Sequence, residues 1–366
     1  MKVALVVPGG VDRPGGTLVI PALMSLVGRL AARHELRVFT LYQEPQPSRW
    51  SVLGAHVINV GARQRHARAV AAICSEHRRV RFDLVHAIWA GSNGLAGVAA
   101  ATLLRLPSLV HLAGGELVAI GDIGYGGGLR LRNRVANRWA LRRASVVTAA
   151  SAPMLDAARS LGIEAMRVPL GVDLTAWPPR APRRRDVNAP ARLIHVASLN
   201  LVKDQGCLLR AFAQLVAEGR DVEMDIVGVD TLHGSVQALA QELGLSSRVH
   251  FHGLLGHVQL RGLFERADLL AMASRHEAGP LVTLEAGVIG VPTVGTSVGH
   301  IAEWAPHAAL ASAVGDPAAL AANLARLLDD EDLRLRIAAE AQRRALADDA
   351  DCTARLFETQ YHRVVA

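Results

Sequence analysis

Lysine is almost absent from this chain of 366 residues, because 38 of its 40 basic residues are arginine. The exceptions are Lys2 and Lys203, and a lysine in mid-chain indicates a place where a compact, flexible ammonium is needed. The three cysteines lie far apart and are expected to be buried, reduced thiols rather than metal ligands. No apolar run reaches the ~20 residues of a membrane-spanning helix. The first apolar run, residues 3–7, is too short for a signal peptide, so a cytoplasmic protein is predicted.

Apolar residues make up 51% of the chain and aromatic residues 4%, a globular composition whose length predicts two domains. The charge is uneven. Residues 1–175 hold 21 basic and 10 acidic side chains, whereas residues 176–366 hold 19 and 23. A basic half attracts phosphate, an anionic membrane or an acidic acceptor, although a solvated face is the simpler explanation.

Short apolar runs alternate with helical patterns along both halves, which predicts βαβ units and parallel sheets. The predicted strands are residues 3–7, 36–41, 57–60, 84–86, 108–112, 146–148, 193–197, 222–227, 249–251, 269–271, 293–294 and 309–310. Residues 177–185, rich in proline and arginine, are expected to form a linker. The predicted fold class is α/β, with two Rossmann-like domains facing a central cleft at the carboxyl ends of their strands.

Residues 274–286, SRHEAGPLVTLEA, follow a predicted strand and begin a predicted helix. Gly279 allows close approach of a ligand, and Pro280 is expected in the first helical turn, where it loses no hydrogen bond. The free N–H groups of Leu281 and Val282 then form an anion site suited to a diphosphate.

Two carboxylates flank this site eight residues apart, and a carboxylate can accept two hydroxyl donors of a sugar diol. The alternative is that Glu277 caps the helix and Glu285 lies on a solvated helix face. Lys203 follows another predicted strand in the segment 196–206, where its ammonium is placed to bind phosphate.

These segments resemble family 4 of the retaining glycosyltransferases, which have the GT-B fold. Glu277 and Glu285 match the family's Glu-x7-Glu motif, and the resemblance is most specific over residues 193–304. In the first half, residues 14–16 resemble the family's glycine loop, and residues 169–173 resemble its segment entering the linker. The resemblance implies a first, acceptor-binding domain of residues 1–175 joined by the C-terminal helix 351–366, and a nucleotide-sugar-binding domain of residues 176–350.

The resemblance also implies roles for individual residues. Glu277 would hold hydroxyls of the donor sugar, Glu285 the ribose and Lys203 the diphosphate, with Glu277 and Lys203 as the catalytic pair. The implied donor-binding residues are Gly16, Ser198, Asn200, Lys203, Gly253, Leu254, Glu277, Gly279, Leu281, Val282 and Glu285. The implied acceptor-side residues are Gly15, His111, Gly115 and Glu116. His111 points along a strand, and a structural role is the favoured alternative.

Three positions depart from the family pattern. Ser198 replaces a usual arginine, so Asn200 or a nearby arginine must help hold the diphosphate. Ala113 stands where the acceptor-side loop often has histidine. Gly279 and Pro280 stand where Gly and Phe are common, which we interpret as a variant of the same turn.

The implied reaction is metal-independent transfer of a sugar, with retention, from a UDP- or GDP-type donor to an acceptor hydroxyl, without a cofactor. A dinucleotide-dependent dehydrogenase is disfavoured, because no G-x-G-x-x-G follows the first strand. A nucleotide-sugar epimerase of the same fold and a non-catalytic relative remain alternatives. Nucleic acid is not an expected partner.

Residues 129–143 combine six arginines with Leu131, Val135, Trp139 and Leu141, which predicts a basic helix. A solvated helix is the simpler interpretation. Peripheral contact with an anionic membrane, at its inner face, is the alternative.

Overall fold

The computed structural model describes residues 1–16 and 19–366. Contacts divide the chain into two compact units, which we call the N-terminal unit (residues 1–171 and 350–366) and the C-terminal unit (residues 172–349). Each unit is an α/β fold around one sheet. Within the described residues, no helix is both long and apolar enough to cross a membrane.

The N-terminal unit contains eight strands and six α-helices within the described residues. In chain order these are β1 Lys2–Val7, α1 Pro21–Ala31, β2 Glu35–Thr40, β3 Ser48–Val52, β4 Ala55–Asn59, α2 Arg65–Val80, β5 Leu84–Ile88, α3 Leu95–Leu104, β6 Ser108–Leu112, α4 Leu131–Arg143, β7 Val146–Ala149, α5 Ala152–Arg159, β8 Met166–Arg167 and, after the C-terminal unit, α13 Ala350–Val365. The sheet order is β3-β4-β2-β1-β5-β6-β7-β8, and every pair is parallel except β3 with β4.

The C-terminal unit contains six strands and seven α-helices. They are β9 Ala191–Val196, α6 Gln205–Ala217, β10 Val222–Val227, α7 Ser235–Glu242, β11 Val249–Gly253, α8 His257–Phe264, β12 Leu269–Met272, α9 Leu281–Val288, β13 Thr293–Thr296, α10 Gly299–Trp304, β14 Ala309–Ser312, α11 Pro317–Asp329 and α12 Glu331–Ala347. All strands are parallel, in the order β11-β10-β9-β12-β13-β14. Chain order therefore reverses between β9 and β12.

The antiparallel edge strand β3 is absent from the sequence-based prediction. It forms a hairpin with β4 through Leu53 and Gly54, which both have positive φ, as a tight two-residue hairpin turn requires. Its residues alternate between half-buried and exposed up to the buried Val52, instead of forming an apolar run. Helix α5 begins with two common start signals, Ser151 at its N-cap and Pro153 in its first turn.

The expected linker, residues 177–185, is built into the C-terminal unit. Trp177 is 2% exposed and packs edge-on against Phe264. Arg183 donates to Asp268 Oδ1 at 3.0 Å, and the Arg183 carbonyl accepts from Arg334 at 2.5 Å. Because of the buried indole and these hydrogen bonds, residues 177–185 are a packed part of the C-terminal unit and not a flexible linker.

Helix α13 lies on the N-terminal unit. Phe357 and Tyr361 are fully buried in the apolar core that contains β1, β5 and α1. The buried face of α13 also includes Thr353 and Ala354, whereas Val365 is 39% exposed.

Candidate active site

The carboxyl ends of β9 and β12 lie side by side at the strand-order reversal of the C-terminal sheet. Ligands of open α/β sheets bind at such switch points. The loop after β9 carries Lys203, and the loop after β12 carries Glu277. The two loops are joined by a backbone hydrogen bond from the Arg275 N–H to the Val202 carbonyl at 2.7 Å.

Lys203 and Glu277 form an ion pair in which Lys203 Nζ lies 2.5 Å from Glu277 Oε1. Their side chains are 22% and 10% exposed, so both are shielded yet reachable. A turn at Asn200, whose carbonyl accepts from the Lys203 N–H at 3.0 Å, directs the lysine. Asp204 then caps α6 through the Cys207 N–H at 3.1 Å.

Glu277 is held by the loop around it. Ser274 Oγ donates to Glu277 Oε1 at 2.8 Å, and Thr296 Oγ1 donates to the Ser274 carbonyl at 2.5 Å. Gly299, with φ of 50°, lies so close that a β-carbon there would come within 2.7 Å of Pro280 Cδ and 3.0 Å of Glu277 Cβ. Oε2 of Glu277 has no recorded partner among the described residues, so it is available to a ligand.

Helix α9 begins at Leu281, and Pro280 is its N-cap rather than part of its first turn. Gly279 lies in the half-buried bend before it. As the first two helical residues, Leu281 and Val282 have N–H groups without an acceptor inside the helix. The anion site stays a prediction, and the start of α9 is displaced by one residue from the expectation.

Glu285 lies one turn inside α9 and is 7% exposed. Burial raises the pKa of its carboxyl to about 8. No hydrogen-bond partner of this carboxyl is recorded in the part of the chain that the structure describes. Burying a polar group without a hydrogen-bond partner costs free energy. Hydrogen bonds from ligand hydroxyls to Glu285 would therefore stabilise a complex. The solvated-face alternative does not fit this burial.

The raised pKa of Glu285 predicts a pH-dependent stability. The folded state favours the protonated carboxyl, so its stabilisation is complete below about pH 4.5 and is lost as the pH rises through about 8. Without ligand, the free energy of unfolding, measured with urea, should fall on the order of a few kcal/mol across this window. Glu285→Gln should remove most of this slope. An unchanged slope in that variant would assign the pH dependence to other groups.

Sequence reasoning did not identify His195 and Gln205, which form hydrogen bonds beside the loop that carries Lys203. His195 is fully buried in β9, and burial lowers its pKa to about 4. Its Nδ1 lies 2.9 Å from the Ala271 carbonyl, so Nδ1 carries the proton and Nε2 accepts from Gln205 Nε2 at 3.2 Å. Gln205 also donates to the Ser198 carbonyl at 3.2 Å. A histidine inside an apolar strand, followed by a helix start, was the available signal.

Other predicted donor residues lie near the same edge of the C-terminal sheet. Ser198 is exposed in the loop after β9. Gly253 ends β11 with φ of 64°, and its carbonyl accepts from the Gly228 N–H at 2.8 Å. Leu254 follows and is 75% exposed. The exposed positions of Ser198 and Leu254 leave both accessible to a ligand.

In the N-terminal unit, Gly15 and Gly16 form an exposed turn closed by the Gly16 N–H and the Arg13 carbonyl at 2.9 Å. Gly15 has φ of 81°, a conformation suited to glycine. Gly115 packs against Tyr125 so closely that a β-carbon would come within 2.7 Å of the phenol oxygen. These three glycines lie in loops after β1 and β6.

Two of the acceptor-side residues that the resemblance implies are buried. His111 is fully enclosed, with Nδ1 at 2.9 Å from Thr148 Oγ1, and burial lowers its pKa to about 3. Glu116 is 7% exposed, and burial raises its pKa while backbone hydrogen bonds oppose the shift. Its carboxylate accepts from the N–H groups of Ala90 at 3.2 Å and Gly114 at 2.8 Å. Both side chains therefore support the loops.

No group of three or more potential metal ligands occurs in residues 1–16 and 19–366. The site is thus a lysine, two carboxylates and a helix N-terminus at the switch point of a parallel sheet. This chemistry suits a ligand that combines a diphosphate with several hydroxyls.

Comparisons with known proteins agree with this reading of the fold. Residues 19–171 match the glycosyl transferase 4-like domain, and residues 183–344 match the glycosyl transferases group 1 family. Both halves of the chain therefore match models of glycosyltransferase domains, and the fold is GT-B. It is similar over 99% of both chains to sucrose-phosphate synthase from Thermosynechococcus elongatus, with a TM-score of 0.80 and 18% identity. The structure of Anabaena HepE with UDP-glucose gives a TM-score of 0.76 and 20% identity, covering 99% of this chain and 100% of HepE.

Two curated relatives are similar over part of the sequence. The MMP α-(1→4)-mannosyltransferase of Mycolicibacterium hassiacum is 34% identical over 49% of this chain and 43% of the relative. The D-inositol 3-phosphate glycosyltransferase of Corynebacterium jeikeium is 32% identical over 46% of this chain and 44% of the relative. The matched segment thus spans less than half of either relative.

Proposed function

We propose that this chain transfers a sugar from a nucleoside-diphosphate sugar to an acceptor hydroxyl, with retention of anomeric configuration and without a metal. The proposal assigns the donor to the domain of residues 176–350 and the acceptor to the domain of residues 1–175. The observation that carries it is the Lys203–Glu277 pair, 2.5 Å apart beside the N-terminus of α9. Family 4 membership and retention rest on the Glu-x7-Glu motif.

The donor diphosphate takes the place nearest the positive groups. Lys203 and the N–H groups of Leu281 and Val282 together supply a cation and aligned donors, which stabilise charge on a leaving phosphate. Asn200 turns the chain at Lys203 and lies two residues after Ser198, which replaces the usual arginine. Because the donors are positioned before the reaction, they need no reorganisation as the leaving group departs.

The sugar and the nucleoside are assigned to the two carboxylates. Glu277 uses the accessible Oε2 to accept from hydroxyls of the donor sugar, while Lys203 and Ser274 hold Oε1. Glu285, buried and without a recorded partner in the described chain, accepts from the ribose hydroxyls. The backbone at Gly253 and Leu254 faces the base. In this scheme no side chain forms a covalent intermediate, and the leaving phosphate takes the acceptor proton.

UDP is the first donor nucleotide to test, since HepE is similar in fold and was solved with UDP-glucose. The test is a thermal-shift series with UDP, GDP, ADP and their sugars, followed by turnover with the donor that stabilises the protein most. A ligand bound only by the folded state raises the melting temperature with concentration. Turnover should persist in excess chelator, and the product should keep the anomeric configuration of the donor. Loss of turnover that magnesium or manganese restores contradicts the metal-free reaction.

Lys203→Ala is expected to weaken nucleoside diphosphate binding about 10- to 100-fold, since a charge-assisted hydrogen bond contributes about 1.5–3 kcal/mol. Lys203→Arg should restore only part of it, because the planar guanidinium does not reproduce the geometry of the ammonium. Calorimetric titration with UDP measures both. Lys2→Ala is the matched control, as it removes the other lysine from an exposed position. If the wild type and the three variants bind UDP with equal affinity, Lys203 does not bind the diphosphate.

A further inference from the structure

Helix α4 presents three bulky apolar side chains to solvent. Leu131 is 66% exposed, Val135 61% and Trp139 39%. The three are four residues apart, so they lie on one face of the helix and form a continuous apolar stripe. Apolar residues on a surface helix normally face the core, whereas these three face solvent.

The opposite face already anchors the helix. Asn137, Ala140 and Leu141 are buried, and Asn137 Nδ2 donates to the Glu116 carbonyl at 2.8 Å. Asn137, Ala140 and Leu141 therefore hold α4 on the N-terminal unit. The outward stripe is not required for folding, so its exposure needs another explanation.

Arginines flank the stripe on both sides. At helical spacing, Arg134 and Arg138 lie on one side and Arg132 and Arg143 on the other. All four are exposed, as are Arg130 and Arg142. Residues 129–143 contain no acidic side chain, and no ion pair of these six arginines is recorded within the described residues. On α12, by contrast, Arg343 and Arg344 pair with Glu340.

We propose that α4 is a docking surface for a bilayer that contains anionic phospholipids. An apolar stripe between two rows of cations matches the interface, where acyl chains lie beneath a layer of phosphates. Each arginine near such a surface contributes through electrostatic attraction, and tryptophan favours the level of the headgroups. A nucleic acid would use the arginines but would leave the apolar stripe exposed. The proposal does not depend on the transferase reaction.

The test is co-sedimentation of the whole protein with vesicles of phosphatidylcholine alone or of equal parts phosphatidylcholine and phosphatidylglycerol. Binding is expected only to the anionic vesicles and should weaken with salt. Arg134→Gln with Arg138→Gln should reduce the partition coefficient on the order of tenfold or more. Leu131→Ser with Val135→Ser should reduce it by a similar factor, because it removes the inserted side chains.

A matched control is Val187→Ser with Val258→Ser, since these residues are 76% and 75% exposed in the C-terminal unit. This variant should bind vesicles as the wild type does. Bound protein should show a blue shift of tryptophan emission that Trp139→Phe abolishes. The proposal is overturned if the wild type does not sediment with anionic vesicles, or if Leu131→Ser with Val135→Ser binds undiminished. Preference for RNA over anionic vesicles, insensitive to that serine pair, would also overturn it.

Discussion

Glu277→Ala is expected to reduce sugar transfer by about a hundredfold or more while nucleoside diphosphate affinity stays within a few-fold of the wild type. Two charged hydrogen bonds to sugar hydroxyls, at about 1.5–3 kcal/mol each, account for this loss. The nucleotide itself is held by other groups in the proposed scheme, so binding and transfer should separate. Initial rates at saturating donor and calorimetric titration with UDP measure the two effects.

Two variants control this experiment. Glu277→Gln keeps an acceptor oxygen for Ser274 but loses the charge that pairs with Lys203, so intermediate activity is expected. Glu242→Ala removes an exposed carboxylate at the end of α7 and should leave the rate unchanged. Transfer at the wild-type rate in Glu277→Ala would refute the sugar-binding role and leave Lys203 and Glu285 to be tested separately.

The second large effect concerns helix α13. Phe357 is fully buried, with ring centroids 4.6 Å from His86 and 5.2 Å from His111. Phe357→Ala should lower the free energy of unfolding by about 3–5 kcal/mol, since the cavity lies between residues that cannot all relax. Deleting residues 351–366 removes Tyr361 as well and should leave the protein unfolded or aggregated, with activity lost together with stability. Chemical denaturation and the yield of soluble protein measure these effects.

Tyr361→Phe provides a finer measurement at the same helix. Tyr361 Oη lies 2.6 Å from His86 Nδ1, and burial lowers the pKa of His86. Removing the hydroxyl leaves Nδ1 without its partner and should cost about 1–3 kcal/mol. Arg355→Ala, on the exposed face of the same helix, should change stability little. If Phe357→Ala is as stable as Arg355→Ala, the helix does not contribute to the core as described.

Much of the fold could be predicted from local patterns. Residues 108–112 and 222–227 match β6 and β10 residue for residue, because most residues of these strands are apolar and nearly all are buried. Strand β3 was missed for the opposite reason, since an edge strand needs only one buried face. Helix ends moved by a residue or more, as at Pro280, because local signals do not settle which residue starts the helix.

The site residues also differ in how far local sequence could predict them. Glu277, Glu285 and the start of α9 lie within nine consecutive residues, so their spacing could be interpreted without a structure. Lys203 is 74 residues away from Glu277 along the chain, and their contact depends on β9 lying beside β12. Sequence reasoning could name Lys203 as unusual but could not give it a partner.

By itself the sequence determined the strand–helix alternation, the carboxylate spacing and the basic character of residues 129–143, because each depends on neighbours a few residues apart. Burial was decided by the folded chain. His111 and Glu116 became interior residues because Phe357 and the loop at Ala90 close over them, and Leu131, Val135 and Trp139 became exposed because Asn137 and Ala140 occupy the inner face of α4. Which face of an element is covered depends on contacts between residues distant in the chain, and no local pattern contains that information.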